Sequence, residues 1–221
     1  MAPRTFRRRR AALAAIYFAF VGLVALGGWR LLGWFRYGLP LTGRQDADVV
    51  WRHAYPVLWS SGVLEGPETP SPKRFNVLLL GASVLEQTAP EFANRAAKEF
   101  TPPWSAYDVS VSAHTSRDSW LKYQRVREEP FQLILFYHGI NDARMNCCPP
   151  GAFRLDYRHC GWYDSLERQL QEGRINVIRA VKEGLTNSIP LGEPDPEWLD
   201  EGTRMKTQEA FRANVESIVR D

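Results

Sequence analysis

Three short apolar runs, 76–80, 107–111 and 131–137, constrain the fold of this chain more than any other feature. Each is rich in leucine, valine or aromatic residues, as expected of strands buried on both faces. Amphipathic stretches separate them. Residues 90–100 open with a proline followed by an acid, both signals of a helix start. Residues 116–127 begin Ser-Arg-Asp-Ser-Trp-Leu, which predicts a helix capped by Ser116 with Trp120, Leu121 and Tyr123 facing the sheet. Arg117 and Asp118 then read as a local pair on the exposed first turn. An alternation of strand, helix, strand, helix, strand demands parallel pairing with right-handed crossovers. The predicted fold class is therefore α/β, a three-layer α/β/α domain on a parallel sheet.

The flanks are organised differently. Residues 1–36 hold seven arginines and no acid. Of the chain's 28 basic side chains, 21 remain in the other 185 residues, against all 25 acids, a net of −4. The basic character belongs to the tail, which argues against a nucleic-acid-binding body. Arg4 and Arg7 to Arg10 precede residues 11–29, which carry no charge. At 1.5 Å per residue that segment is roughly 28 Å long, about one hydrocarbon core. Five arginines before it outweigh Arg30 and Arg36 after it, which predicts a cytoplasmic N-terminus. Trp29, Trp34, Phe35 and Tyr37 read as an interfacial belt. A cleaved signal peptide would have a shorter apolar core and an A-x-A-like end. The reading is an uncleaved single-pass anchor, with the lipid bilayer as partner and the domain periplasmic or extracellular.

This gives a basic tail at 1–10, a transmembrane helix at 11–29, a membrane-proximal segment and linker at 30–73, and an α/β domain at 74–221. Within the third part, 46–58 predicts a helix interrupted at Pro56, and 66–72 is a Pro- and Gly-rich linker. After the third strand, 143–163 reads as irregular, 164–185 as helical, 189–196 as a Pro-rich loop and 201–219 as a last amphipathic helix.

Outside the cytoplasm disulfides form. One of Cys147 and Cys148 bridging to Cys160 would close a short loop and leave one thiol spare. A zinc site from Cys147, Cys148, His159 and Cys160 is disfavoured, because adjacent residues rarely chelate one tetrahedral ion and no C-x-x-C spacing is present. No metal and no cofactor is expected.

Each predicted strand ends in a short polar or small-residue tip: Gly81-Ala82-Ser83, Ser112-Ala113-His114-Thr115-Ser116, and Gly139-Ile140-Asn141-Asp142. Parallel sheets place their chemistry at these carboxyl ends. Singly, each tip has a bland reading. Ser83 is in place to cap a helix, Asn141 and Asp142 to form a turn, and His114 and His138 to be structural strand-end histidines. Together and in this order, the tips resemble blocks I, II and III of the SGNH (GDSL-type) hydrolases. Gly81-Ala82-Ser83 is similar to the Gly-Asp-Ser nucleophile block, with Ala82 replacing the aspartate. Ala113 stands where the second block normally has glycine. Gly139-Ile140-Asn141-Asp142 matches the third block, Gly-x-Asn-Asp, without departure. The resemblance spans roughly residues 75–142.

The resemblance implies a flavodoxin-like strand order with the first strand central. It implies that Ser83 attacks an ester carbonyl while the backbone N–H groups of Ser83 and Ala113 and the amide of Asn141 hold the oxyanion. Preorganised neutral donors suit that task because the intermediate carries a full negative charge on one oxygen. The family takes its base from an Asp-x-x-His block near the C-terminus. Here no histidine follows His159. Asp156-Tyr157-Arg158-His159 has the spacing but comes only fourteen residues after Asp142, with no strand and helix to bring it back to the sheet rim, and reads as a chance match. The expectation is a chain truncated at its C-terminal side and inactive for want of a base. The substrates implied are small-molecule or glycan O-acyl esters. Two alternatives stand beside a serine ester hydrolase: a membrane-tethered non-catalytic binding module, and an acyltransferase of a polysaccharide O-acetylation system.

Overall fold

A computed structural model describes residues 4–46, 48–99, 103–148, 151–179, 181 and 207–220. Its centre is a parallel sheet of three strands, β1 (Phe75–Gly81), β2 (Trp104–Asp108) and β3 (Leu133–Tyr137), in the order β2-β1-β3. Helices surround it: α1 (Arg4–Tyr37), α2 (Val49–Ala54), α3 (Val57–Ser60), α4 (Ser83–Glu99), α5 (Ser116–Val126), α6 (Ile140–Met145), α7 (Gly161–Glu172) and α8 (Thr207–Val219).

β1 is buried along most of its length, and its side chains alternate between two cores. Val77 and Leu79 face α4, meeting Leu85 and Ala89 with Phe92, Trp104 and Leu135 around them. Leu78 and Leu80 face the opposite way, into the main core with Leu121 and Val126 of α5 and Ala210 and Ile218 of α8. Helices thus cover both faces. Tyr55, Leu58 and Val63 pack in the same main core, so the segment after α1 is built into the domain. The 66–72 segment is also pinned, by Tyr107 Oη to the Glu68 carbonyl at 2.6 Å and Asn76 Nδ2 to the Ser71 carbonyl at 2.8 Å.

Several boundaries differ from expectation for physical reasons. β2 lies three residues earlier than the apolar run 107–111, because Trp104 to Asp108 pair with Phe75 to Leu79. Val109 and Val111 still donate to the carbonyls of Leu79 and Gly81 as the chain leaves the ladder. Helix α4 starts at Ser83 rather than Pro90, and Pro90 sits inside it. The buried pair Leu85 and Ala89, with Phe92, continues one apolar stripe across the proline, and that packing outweighs the lost backbone bond. Helix α7 spans Gly161–Glu172 and stops at Gly173, whose φ of 61° is the left-handed cap that ends a helix. The predicted 189–196 loop and residues 201–206 of the predicted last helix lie outside the described residues.

Helix α1 is long and apolar enough to cross a membrane over Ala12–Tyr37, and it is exposed there except in its last turns, where Gly33 is buried and Trp29 and Tyr37 are half-buried. It contains the predicted 11–29 segment and extends it at both ends.

Candidate active site at the strand ends

The three tips lie at one end of the sheet and are joined by hydrogen bonds. Gly81, the last residue of β1, pairs with Tyr137, the last residue of β3, and its carbonyl accepts from the N–H of Val111 at 3.2 Å. A Cβ on Gly81 would stand 2.7 Å from Leu85 and 3.1 Å from the Tyr137 carbonyl, so only glycine lets α4 turn back this tightly. Ser83 is then the first helical residue of α4, and the carbonyl of Ala82 accepts from Glu86. The N-cap position is therefore Ala82. The capping reading of Ser83 does not hold: its hydroxyl makes no hydrogen bond among the described residues and it is only partly buried.

Glu86, in the first turn of the same helix, reaches the second tip. Its Oε2 accepts from Ser112 N at 2.7 Å and from Ser112 Oγ at 2.6 Å. Ala113 follows with φ 66°, a left-handed conformation that costs a residue with a Cβ about 1 kcal/mol or more. His114 comes next, and its carbonyl accepts from Asn141 Nδ2 at 2.8 Å. Hydrogen bonds thus run from the Ser83 helix through the 112–114 loop to Asn141.

A buried polar frame holds this arrangement from below. The helix after the second tip is capped by Thr115, not Ser116: Thr115 Oγ1 accepts from Arg117 N, and Asp118 Oδ2 accepts from Thr115 N at 2.9 Å. Ser116 is wholly buried instead, and donates through N and Oγ to Asp142. Asp142 also accepts from Tyr157 Oη at 2.5 Å, and Asn214 Nδ2 donates to Ser116 Oγ at 2.8 Å. Burial raises the Asp142 pKa above the usual carboxylate range, against the lowering effect of its Ser116 and Tyr157 hydrogen bonds. Asp118 is likewise buried, and accepts from Tyr55 Oη at 2.9 Å and Tyr163 Oη at 2.5 Å. The expected surface pair of Arg117 with Asp118 is not formed. Arg117 turns to Glu167, Nη2 to Oε1 at 2.6 Å, in a pair that is 16% and 8% exposed. Asp142 is no solvated turn former either; it is fully buried.

None of the four histidines hydrogen-bonds Ser83. Lys122, fully buried, places Nζ 2.5 Å from the Val109 carbonyl and 3.2 Å from His114 Nδ1. An ammonium at that nitrogen makes Nδ1 the acceptor, so His114 carries its proton on Nε2. Burial lowers His114 to about 4 and His138 to about 3, and lowers Lys122 to about 8. His138 Nε2 meets Ser119 Oγ at 2.6 Å. His53 packs edge-on against Tyr37. In the Asp-x-x-His stretch, His159 Nδ1 accepts from Arg154 N at 3.1 Å and Nε2 donates to the Met145 carbonyl at 3.0 Å, while Asp156 pairs with Arg158. Neither residue forms a hydrogen bond with Ser83. Cys147, Cys148 and Cys160 are thiols, so the expected bridge to Cys160 is not formed. No cluster of metal-ligating side chains occurs among the described residues.

The strand-end residues were legible from sequence, but Glu86, Tyr55, Tyr163 and Asn214 were not. For Tyr55, Tyr163 and Asn214 the only signal was polarity at a position facing a core, and exposed Glu86 carried none. No family model, no curated protein and no solved structure matches this chain.

Proposed function

We propose that this chain carries the nucleophile and oxyanion elements of an SGNH (GDSL-type) serine ester hydrolase, held outside the cytoplasm by α1 and directed at O-acyl esters. The observation that carries the reading is the set of N–H donors, two backbone and one side-chain, left open at the strand ends. Ser83 is the first residue of its helix, so its N–H has no intrahelical acceptor. The Ala113 N–H makes no hydrogen bond among the described residues. Asn141 gives one Nδ2 hydrogen to the His114 carbonyl and keeps the second. These are the three donors the sequence resemblance names. The left-handed φ of Ala113, where the family has glycine, supports the same reading.

In that reaction Ser83 Oγ attacks the ester carbonyl and the carbonyl oxygen becomes an oxyanion against the three donors. Collapse of this tetrahedral intermediate expels the alcohol, which takes the serine proton, and leaves an acyl-serine that water hydrolyses to the acid and free Ser83. Loss of the serine proton needs a base. None of the four histidines supplies one, and a serine hydroxyl without a base is a weak nucleophile. An oxyanion hole alone sustains roughly 10³–10⁴-fold over water in serine proteases, far below a working triad. Residues 1–221 are therefore expected to hydrolyse short-chain aryl esters barely above background.

Added imidazole tests the reading. A site that lacks only its base gains turnover in imidazole, above the imidazole blank, and that gain disappears in Ser83→Ala and falls by about 10²-fold in Asn141→Ala. That no histidine hydrogen-bonds Ser83 favours a second reading, a tethered binding module reusing the cleft. An imidazole gain of zero, or one unchanged by Ser83→Ala, selects that module.

A further inference from the structure

Where α1 meets the body, a cleft of about 460 Å³ opens between the last turns of the helix, the 39–45 segment and residues 174–178. Its volume is in the range of small-ligand sites. Leu26, Trp29 and Val177 give it apolar walls, and Arg30 and Arg174 bring two guanidinium groups. The walls are held in place. Gln45 clamps Ile175 with both amide atoms, Nε2 to the carbonyl at 3.1 Å and Oε1 from the N–H at 2.7 Å. Leu39, Val49, Val50, Ile175 and Val177 form a small core on which Trp29 and Tyr37 pack. Gly33 allows the approach, since a Cβ there would already lie 3.3 Å from Leu39 and 3.5 Å from Val177.

Charge and depth agree on the occupant. Arg174 and Arg179 share one carboxylate, Glu172, at 3.4 and 3.1 Å. Arg30 has no ion pair among the described residues, so positive charge is in excess. Arg30 follows Arg10 by twenty residues. On a helix that is about 30 Å, the thickness of a hydrocarbon core. With Arg10 at one interface, Arg30 stands at the phosphate level of the other.

We propose that this cleft binds the headgroup of an anionic phospholipid in the leaflet facing the domain. Arg30 and Arg174 hold the phosphodiester through paired N–H donors, and Leu26 and Trp29 lie along the first methylenes of the acyl chains. The bound lipid fixes the height and tilt of the domain over the membrane. The proposal rests on α1 lying in a bilayer.

The test is native mass spectrometry of the full chain in nonionic detergent, titrated with phosphatidylglycerol or with phosphatidylcholine of the same acyl chains. The wild-type chain is expected to retain phosphatidylglycerol in preference. Arg30→Gln and Arg174→Gln each weaken it about fivefold, the usual effect of one arginine near an anionic surface. Arg36→Gln, outside the cleft, leaves it unchanged. Tryptophan fluorescence and elution volume report folding, and exposed Arg30→Gln alone decides the matter if Arg174→Gln misfolds. Equal retention of the two lipids, or equal losses in Arg30→Gln and Arg36→Gln, overturns the site. Displacement by millimolar inorganic phosphate means a free-anion site and also overturns it. Alkaline carbonate extraction separates the two premises: release of the chain from membranes removes the anchor, whereas retention without lipid preference removes only the cleft.

Discussion

Asp118→Ala is expected to be among the most damaging single substitutions outside the sheet. Asp118 is 8% exposed, and its carboxylate accepts from one donor in its own capping box and from two tyrosines in distant parts of the chain. The donors are Tyr55 Oη at 2.9 Å, Thr115 N at 2.9 Å and Tyr163 Oη at 2.5 Å. A buried donor left without an acceptor costs about 1–3 kcal/mol. Tyr163 can re-pair with Thr115 Oγ1, already 2.6 Å away, but the Thr115 N–H and the Tyr55 hydroxyl cannot. The capping box at the start of α5 is lost as well. The net loss is about 3–5 kcal/mol, a large part of a typical domain's stability. Asp118→Asn behaves differently. With its oxygen toward Thr115 N and its nitrogen toward Tyr55, whose hydroxyl accepts as readily as it donates, the geometry survives at about 1–2 kcal/mol. Urea unfolding of the full chain in detergent, followed by tryptophan fluorescence, measures both. A loss below about 1 kcal/mol for Asp118→Ala, or equal losses for the two variants, would refute the accounting.

Acid is expected to weaken the domain through His114 and His138, whose folded pKa values of about 4 and about 3 lie below the ordinary 6.5 chiefly because of burial. The unfolded chain binds their protons first, so their contribution is present above pH 6.5 and lost as pH falls from there toward 4 and 3. His138→Gln, which cannot charge, should flatten the fall of the urea midpoint between pH 7 and 5; an unchanged slope would show that burial of His138 is not the cause. Asp142 acts in the opposite sense, because burial raises its pKa and its contribution grows as pH falls toward the ordinary carboxylate range. Ala113→Gly removes a Cβ from a backbone held at φ 66° and should stabilise the chain by about 0.5–1 kcal/mol while keeping the N–H. A destabilised Ala113→Gly would show that the loop is not held in the left-handed region in solution.

The imprint of short-range physics was readable in the chain. Leucine and valine runs of strand length, amphipathic stretches between them and an uncharged segment after an arginine cluster depend on neighbours one to four residues apart. They foretold the three parallel strands, the helices on both faces and the long apolar α1. Even there, the ends of elements were decided by packing. β2 took its bounds from pairing with Phe75 to Leu79, and α4 ran through Pro90 because Leu85, Ala89 and Phe92 share one core. The candidate site divides the same way. Gly81, Ser83, Ala113 and Asn141 sit at strand ends, where sequence pattern alone locates them. The frame that holds them does not: Tyr55 meets Asp118 across 63 positions and Asn214 meets Ser116 across 98. No local propensity distinguishes a tyrosine that will donate to a buried carboxylate from one that will face solvent. Only the folded chain decides it, because a buried carboxylate must find its donors wherever the topology delivers them.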